Sequence, residues 1–302
     1  MKNVKNAKLN YWQIDNKIKN ITAVDGAIVL PSFQAWQKFP WTRKLFVRKP
    51  QEGYFVWVKK QVNFPLATCI TIASPKISQD LTNLMVIEKG LKIKANVVCQ
   101  SAKDYLHGSH KAKGRVILKD GASLEYEHFH QWGQKDFVSP DYEFILGKEA
   151  ALNYDYKNLF PPENLELKTV IYSGENSSSN LNLIINSLNS KINLEDTVFL
   201  EKKDSRAIVR IRLVGRKNSQ VKAISKIIAK APVKGHLDCQ ALLVDKTAKI
   251  SLSPELVCQN KDAQLTHEAS IGRISEDQLT YLRMRGLTES QAINLIVSGF
   301  IL

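Results

Sequence analysis

An all-β fold is predicted for this sequence, preceded by a small N-terminal cap and ended by a short C-terminal α-helical hairpin. Three observations predict it: a succession of short strands between about residues 53 and 260, a charged Gly turn that returns after 31 positions, and a change to helical period near the C-terminus. The strands include Tyr54-Phe55-Val56-Trp57-Val58, Leu84-Met85-Val86-Ile87, Arg115-Val116-Ile117-Leu118 and Val198-Phe199-Leu200. Ala207–Leu213, Ala241–Val244 and Lys249–Leu252 follow. β-Branched residues dominate them, and apolar positions alternate with Lys, Arg or Glu, the period of a half-buried strand.

The returning turn is Glu88-Lys89-Gly90-Leu91-Lys92-Ile93, answered by Lys119-Asp120-Gly121-Ala122-Ser123-Leu124. Each places Gly where a positive φ costs nothing, then releases the chain into alternating strand. A unit recurring within ~20–45 residues suits stacked coils, each burying its inward side chains against the next. A β-sandwich with regularly spaced short strands is the competing arrangement.

After residue 273 the period changes. Ser275-Glu276-Asp277-Gln278 has the form of a capping box, followed by Leu279, Leu282 and Met284, with Gly286 as a left-handed stop. Thr288-Glu289-Ser290-Gln291 repeats the start signal, and Ile293, Ile296, Val297 and Phe300 form an apolar stripe suited to the domain's own core or to a partner. Residues 1–50 hold Trp12, Trp36 and Trp41 among lysines, with Pro31, Pro40 and Pro50 interrupting any long helix. They read as a basic, partly helical N-terminal cap or arm. The predicted division is therefore 1–50 cap, 51–272 β core and 273–302 helical hairpin.

Charge and composition narrow the function. The 302 residues carry 43 Lys plus Arg against 29 Asp plus Glu, a net charge of +14, and residues 1–60 hold 12 of those cations against 3 acids. A basic arm can hold an anionic partner, but no regularly spaced basic helix or nucleic-acid signature accompanies it, so nucleic acid is not an expected partner. No run approaches the ~18 apolar residues of a membrane span, and the start lacks the apolar segment of a signal peptide, so a cytoplasmic protein without membrane attachment is expected. Cys69, Cys99, Cys239 and Cys258 form neither a Cys-x-x-Cys pair nor a dense framework. Phosphate-loop, dinucleotide, His-Glu-x-x-His and Gly-x-Ser-x-Gly signatures are missing, so no nucleotide is expected to bind this chain and no enzyme activity of its own is predicted.

Two groups of residues suggest metal chemistry. His128 and His130 are two apart in a predicted strand, so both imidazoles face one side and could bind a metal, but with no third ligand nearby in sequence ordinary packing is the expected role. His107 and His110 flank a Gly-Ser turn and carry a weaker signal. The segment 236–268 gathers His236, Cys239, Cys258, His267 and Glu268, a mixed set suited to iron and sulfur. Cys239 and Cys258, 19 apart, are candidates for adjacent coils.

Gly235-His236-Leu237-Asp238-Cys239-Gln240-Ala241-Leu242-Leu243-Val244-Asp245 resembles the SufB/SufD family of the SUF iron–sulfur cluster assembly system. So do Pro254-Glu255-Leu256, Leu265 to Ile274 through His267-Glu268-Ala269, and the tail from Glu276 through Arg285-Gly286-Leu287 to Gly299-Phe300. Weaker similarity reaches back to about residue 50. The family's long N-terminal helical region is mostly absent. The resemblance implies a right-handed β-helix (β-solenoid) core whose C-terminal helices dock an ABC-type ATPase, SufC. It implies pairing of two SufB/SufD-type chains, a sulfur donor protein, and a transient iron–sulfur cluster built from iron and sulfide. By motif, Cys239 takes the place of the essential SufB cysteine, as sulfur acceptor or cluster thiolate. Glu268 takes that of the SufB carboxylate, and His267 that of the histidine SufD supplies. Having all three favours a SufB-like or combined role; a SufD-like, non-catalytic platform that positions SufB and SufC is the alternative. A β-solenoid acting on an acidic polysaccharide is suggested only by charge and strand content.

Overall fold

In the computed structural model, which describes residues 9–301, the chain winds into a parallel β-solenoid of two facing sheets. The basic start Met1–Asn6 lies outside the described residues. The first strands are β1 (Leu9–Ile14), β2 (Lys17–Ile21) and β3 (Ala27–Pro31), then helix α1 (Ser32–Lys38), a 3₁₀ turn (Pro40–Lys44) and β4 (Tyr54–Val58). The coils run through β5 (Leu66–Ile72), β6 (Ser78–Ile87), β7 (Lys92–Ser101), β8 (Ser109–Leu118), β9 (Ser123–Gln131) and β10 (Phe137–Leu146). They continue with β11 (Ala151–Phe160), β12 (Asn164–Ser173), β13 (Ser178–Leu188), β14 (Lys191–Leu200), β15 (Arg206–Arg216) and β16 (Gln220–Ala229). The last are β17 (Lys234–Leu243), β18 (Lys249–Cys258) and β19 (Gln264–Arg273), before helices α2 (Glu276–Met284) and α3 (Glu289–Ile301).

From β5 onward, odd-numbered strands stack in one sheet and even-numbered strands in the other, always parallel to the next coil. Partners on successive coils lie 27 to 31 positions apart, as with Phe137 and Asn164, or Ser78 and Ser109. The Gly90–Gly121 echo is one such step: both glycines have positive φ, and the Gly90 amide donates to the Asp120 carbonyl of the next coil. Strand alternation fills the interior. In β14, for example, Ile192, Leu194, Val198 and Leu200 are buried while Lys191, Asn193 and Glu195 face water.

The two ends of the solenoid differ. At the N-terminal end, β2 pairs antiparallel with β1 and β3 antiparallel with β4, covering both sheets. Residues 9–50 are thus more strand than helix, because alternating apolar residues such as Val29 find an open coil to pair with. Outside this cap, Trp41 stacks edge-on to Trp57 at 4.8 Å, and Trp36, Phe39, Phe46 and Phe55 complete an aromatic cluster. At the C-terminal end, no described strand covers β18 or β19. Their inward side chains, among them Leu252, Leu256 and Leu265, are only partly buried, and Ile271 is 47% exposed.

Both helix-start signals form. Ser275 Oγ accepts from the Gln278 amide while Gln278 Oε1 accepts from the Ser275 amide, and Thr288 and Gln291 repeat the exchange. Gly286 ends α2 at φ +90°. The α3 stripe is core: Val297, Ile293, Ile296 and Phe300 pack on Val214 and Leu242 of the solenoid's outer face. Helix α2 buries no residue, and Tyr281 and Met284 stand 58% and 81% exposed.

Candidate functional site

Cys239 sits one coil short of the open end. It alternates inward along β17 with Leu237 and Ala241, is 2% exposed, and pairs in register with Ile211 below and Ala269 above. The small Ala269 is all that the last coil places over it, roughly 5 Å away along the sheet. Burial pushes the thiol up to about 12; the nearby Asp196 carboxylate adds to this, while a Ser225 hydrogen bond and Arg212 act the other way. At neutral pH Cys239 is therefore a sealed thiol. It becomes a thiolate ligand only when a bound cation displaces its proton onto an acceptor.

The opposite sheet supplies that acceptor. Asp196 of β14 and Ser225 of β16 are register partners and both point inward, buried to 1% exposure. Ser225 Oγ donates to Asp196 Oδ1 at 2.7 Å, while buried Oδ2 has no partner among the described residues. Burial pushes the Asp196 carboxyl up to about 7, with the Ser225 hydrogen bond only partly offsetting it. An acid poised near neutrality beside a thiol can receive its proton. The sequence carries one trace of it: in Ile192-x-Leu194-x-Asp196-x-Val198 an acid occupies an inward register position.

The last coil distributes the other candidates between two faces. His267 stands opposite Leu237, so it lies on the same inward side as Cys239, one strand across and two residues along, with Cα atoms roughly 8 Å apart. Glu268 stands opposite Asp238 and projects outward, where its Oε1 lies 3.7 Å from His236 Nε2. His236 Nδ1 and Thr266 Oγ1 are hydrogen-bonded at 2.8 Å on that outer face. Beside them Arg212 clasps Asp238 through both carboxylate oxygens; burial opposes ionisation, but the Arg212 hydrogen bonds outweigh it and hold this acid below its usual range. Within one protomer, then, Cys239 and His267 share a side and Glu268 does not. Cys258 ends β18 in the other sheet, exposed, and pairs in register with Ala229. It is not on the coil next to Cys239, because a coil takes up about thirty residues, as Leu237 opposite His267 shows.

The family model described as SUF system FeS cluster assembly, SufBD core domain, matches residues 71–300. The chain belongs to the SufBD family. Its relatives include an iron-sulfur cluster assembly SufBD family protein of Methanothermobacter thermautotrophicus, 29% identical over 82% of this chain and 62% of the relative. One from Archaeoglobus fulgidus is 27% identical over 96% of this chain and 83% of the relative, and one from Pyrococcus horikoshii 28% over 95% and 69%. The chain thus spans less than two thirds of the length of the Methanothermobacter relative. The SufBD match runs from β5 into α3, so Cys239, His267 and Glu268 all lie in the matched core, as does Asp196. No helix of the described residues is long and apolar enough to cross a membrane.

Proposed function

We propose that this SufBD chain is a scaffold component that builds and passes on a nascent iron–sulfur cluster, without catalysing nucleotide hydrolysis itself. It pairs through its open C-terminal end with a second copy or with another SufB/SufD-type chain. Cys239 is the sulfur acceptor or cluster thiolate, and His267 and Glu268 are ligands to iron delivered at the paired ends. The observation that carries this reading is the position of Cys239: an interior thiol separated from an uncapped solenoid end by a single alanine.

Chemically, the thiol can act in two ways. It can take the terminal sulfur of a donor's persulfide, its own proton leaving with the released donor thiol, or it can ligate iron as thiolate with Asp196 receiving the proton. His267 reaches the same interior side, and the outward Glu268 is available to a facing chain.

Anaerobic reconstitution with iron and sulfide tests the site. Cys239→Ser is expected to lower retained iron and sulfide at least tenfold while leaving the fold intact, since Ser is close to Cys in size. Undiminished iron and sulfide would refute a role for the thiol. The sealed state of Cys239 favours one second reading, the SufD-like platform. Under it, Cys239→Ser still supports cluster maturation in cells, whereas deleting residues 275–302 does not.

We assign the ATPase contact to α2, because α3 spends its stripe on the solenoid whereas Tyr281, met by Arg285 at the end of its own helix, and Met284 stay exposed. A Tyr281→Ala/Met284→Glu variant is expected to weaken capture of a SufC-type ATPase at least tenfold, read by titration with the purified ATPase. Its melting temperature is expected to stay unchanged, α2 having no buried residue to lose. Equal affinity of variant and wild type would remove α2 from the contact.

A further inference from the structure

Far from the open end, the solenoid interior holds a second group of potential ligands. His128 and His130 do face one side of β9, and the third ligand missing from their sequence neighbourhood comes from the preceding coil: Cys99 of β7 is the register partner of His130. Cys99 Sγ lies 3.6 Å from His128 Nε2, the two Nε2 atoms are 2.9 Å apart, and all three donor atoms fall within 4.8 Å of one another. The residues are 1%, 0% and 3% exposed.

The surroundings fix which atoms point inward. His128 Nδ1 meets Tyr154 Oη at 3.2 Å and His130 Nδ1 meets Tyr156 Oη at 3.0 Å. In the tautomer where each Nδ1–H donates to its tyrosine oxygen, both Nε2 lone pairs aim at each other and at the sulfur. Such a convergence needs something electropositive at its centre. Nearby, His110 Nδ1 lies 2.8 Å from Gln79 Oε1, an amide oriented by its Nε2 donating to the Asp15 and Thr71 carbonyls. His110 Nδ1 must therefore carry the proton, and its buried Nε2 is a lone pair without a partner, on a ring set edge-on to His130 at 6.2 Å. All three imidazoles are buried away from water, which favours the neutral form that donates to a metal.

We propose that Cys99, His128 and His130 form a buried site for a soft or borderline transition-metal ion, held between coils as a structural staple. Tetrahedral zinc geometry, with nitrogen at 2.0–2.1 Å and sulfur at 2.3 Å, puts N···S at about 3.6 Å and N···N at about 3.3 Å. The first matches the Cys99–His128 distance, the Cys99–His130 edge lies within 4.8 Å and closes toward the same value on binding, and the second asks the two rings to part by a few tenths of an ångström. On binding, the Cys99 thiol gives up its proton to solvent and keeps the electron pair as thiolate, with no change of oxidation state. A single thiolate neutralises a monovalent ion such as Cu(I); a divalent ion such as Zn(II) keeps one positive charge, to be solvated by the tyrosine hydroxyls. The sealed interior implies loading as the chain folds. The site is separate from Cys239, which shares a column with His128 four strands away but is screened from it by Ile211, Leu183 and Tyr156.

The test is anaerobic refolding of the full chain with Zn(II), Co(II) or Cu(I) in separate arms, followed by chelator and gel filtration. About one ion per chain is expected to stay bound in at least one arm and to leave on unfolding, with chelated refolding giving a lower melting temperature. Bound cobalt is expected to show a thiolate charge-transfer band. Retention is expected to survive Cys239→Ser, and to fall at least tenfold in a Cys99→Ala/His130→Gln variant. Should that variant not fold, a Cys69→Ser/Cys239→Ser/Cys258→Ser chain, whose sole thiol is Cys99, decides the matter through the cobalt band or, in the copper arm, retained metal. Negligible retention in all three arms would overturn the site. So would undiminished retention without Cys99 and His130, or bound cobalt with no thiolate band in the Cys99-only chain; the cluster is then a plain hydrogen-bonded network.

Discussion

Ile271→Asp is expected to abolish pairing of this chain with its SufB/SufD-type partner. Ile271 points to the interior side of β19, opposite Ala241, yet among the described residues no coil lies beyond it and it remains 47% exposed. Leu252, Leu256 and Leu265 surround the same opening, and the outer edge of β19 offers ten residues of backbone without a proline. The edge strand of the other sheet, β18, carries Pro254, which has no amide to offer an incoming strand. An uncovered, regular strand edge beside apolar side chains is what a soluble fold normally hides, and a docking partner hides it. Burying an aspartate there without a counter-charge costs several kcal/mol, so the dissociation constant should rise at least a hundredfold, about 3 kcal/mol. Sedimentation velocity on the chain alone, and mixed with a second SufB/SufD-type chain, reads this directly. The isolated chain is expected to melt nearly as before, because the side chain is already half in water. Pairing with undiminished affinity would move the interface away from the open end and, with it, the proposed position of the cluster.

Asp196→Asn is expected to stabilise the protein above about pH 4, with the full gain reached from about pH 7 upward. The folded carboxyl titrates near 7 and its ordinary value is 3.8, so burial disfavours the ionised form. Below the ordinary value both folded and unfolded chains are protonated and no penalty exists. Between the two values the unfolded chain ionises first, and stability falls as pH rises. Above about 7 the full penalty, of the order of a few kcal/mol, is in place. The asparagine variant has no charge to bury, so its melting temperature at pH 8 should exceed that of the wild type by several degrees, with the two converging near pH 4. Removing the same charge should lower the pH at which Cys239 reacts with iodoacetamide, since the Asp196 carboxylate raises that thiol. If Asp196 receives the thiol proton, cluster reconstitution in the variant slows although the protein is more stable. Coincident melting curves at pH 8 would mean that Asp196 is not held ionised in an apolar interior.

Strand alternation made much of this molecule legible in advance. Tyr54–Val58 is a strand with the expected limits, and Ala207–Leu213 lies wholly within β15. The Ser275 and Thr288 capping boxes mark helix starts because their hydrogen bonds are local. The N-terminal region was less readable. Its prolines exclude a long helix, but nothing local says that β1 will pair with β5 more than fifty residues away.

Spacing alone does not reveal the coil length. The 19 positions between Cys239 and Cys258 carry the chain to the opposite sheet, whereas the 31 between Gly90 and Gly121 complete a coil. The same step of 31 separates Cys99 from His130, so their meeting was written in the chain but unreadable without knowing which recurrence sets the period. By itself the sequence determined the strand period, the helix caps and the family, because each rests on neighbours within a few residues or on contiguous motifs. Which thiol is sealed, which carboxyl joins it and which end stays open depended on the winding of the coils. Side chains from distant segments meet there at a register that backbone hydrogen bonding between strands sets and no local pattern encodes.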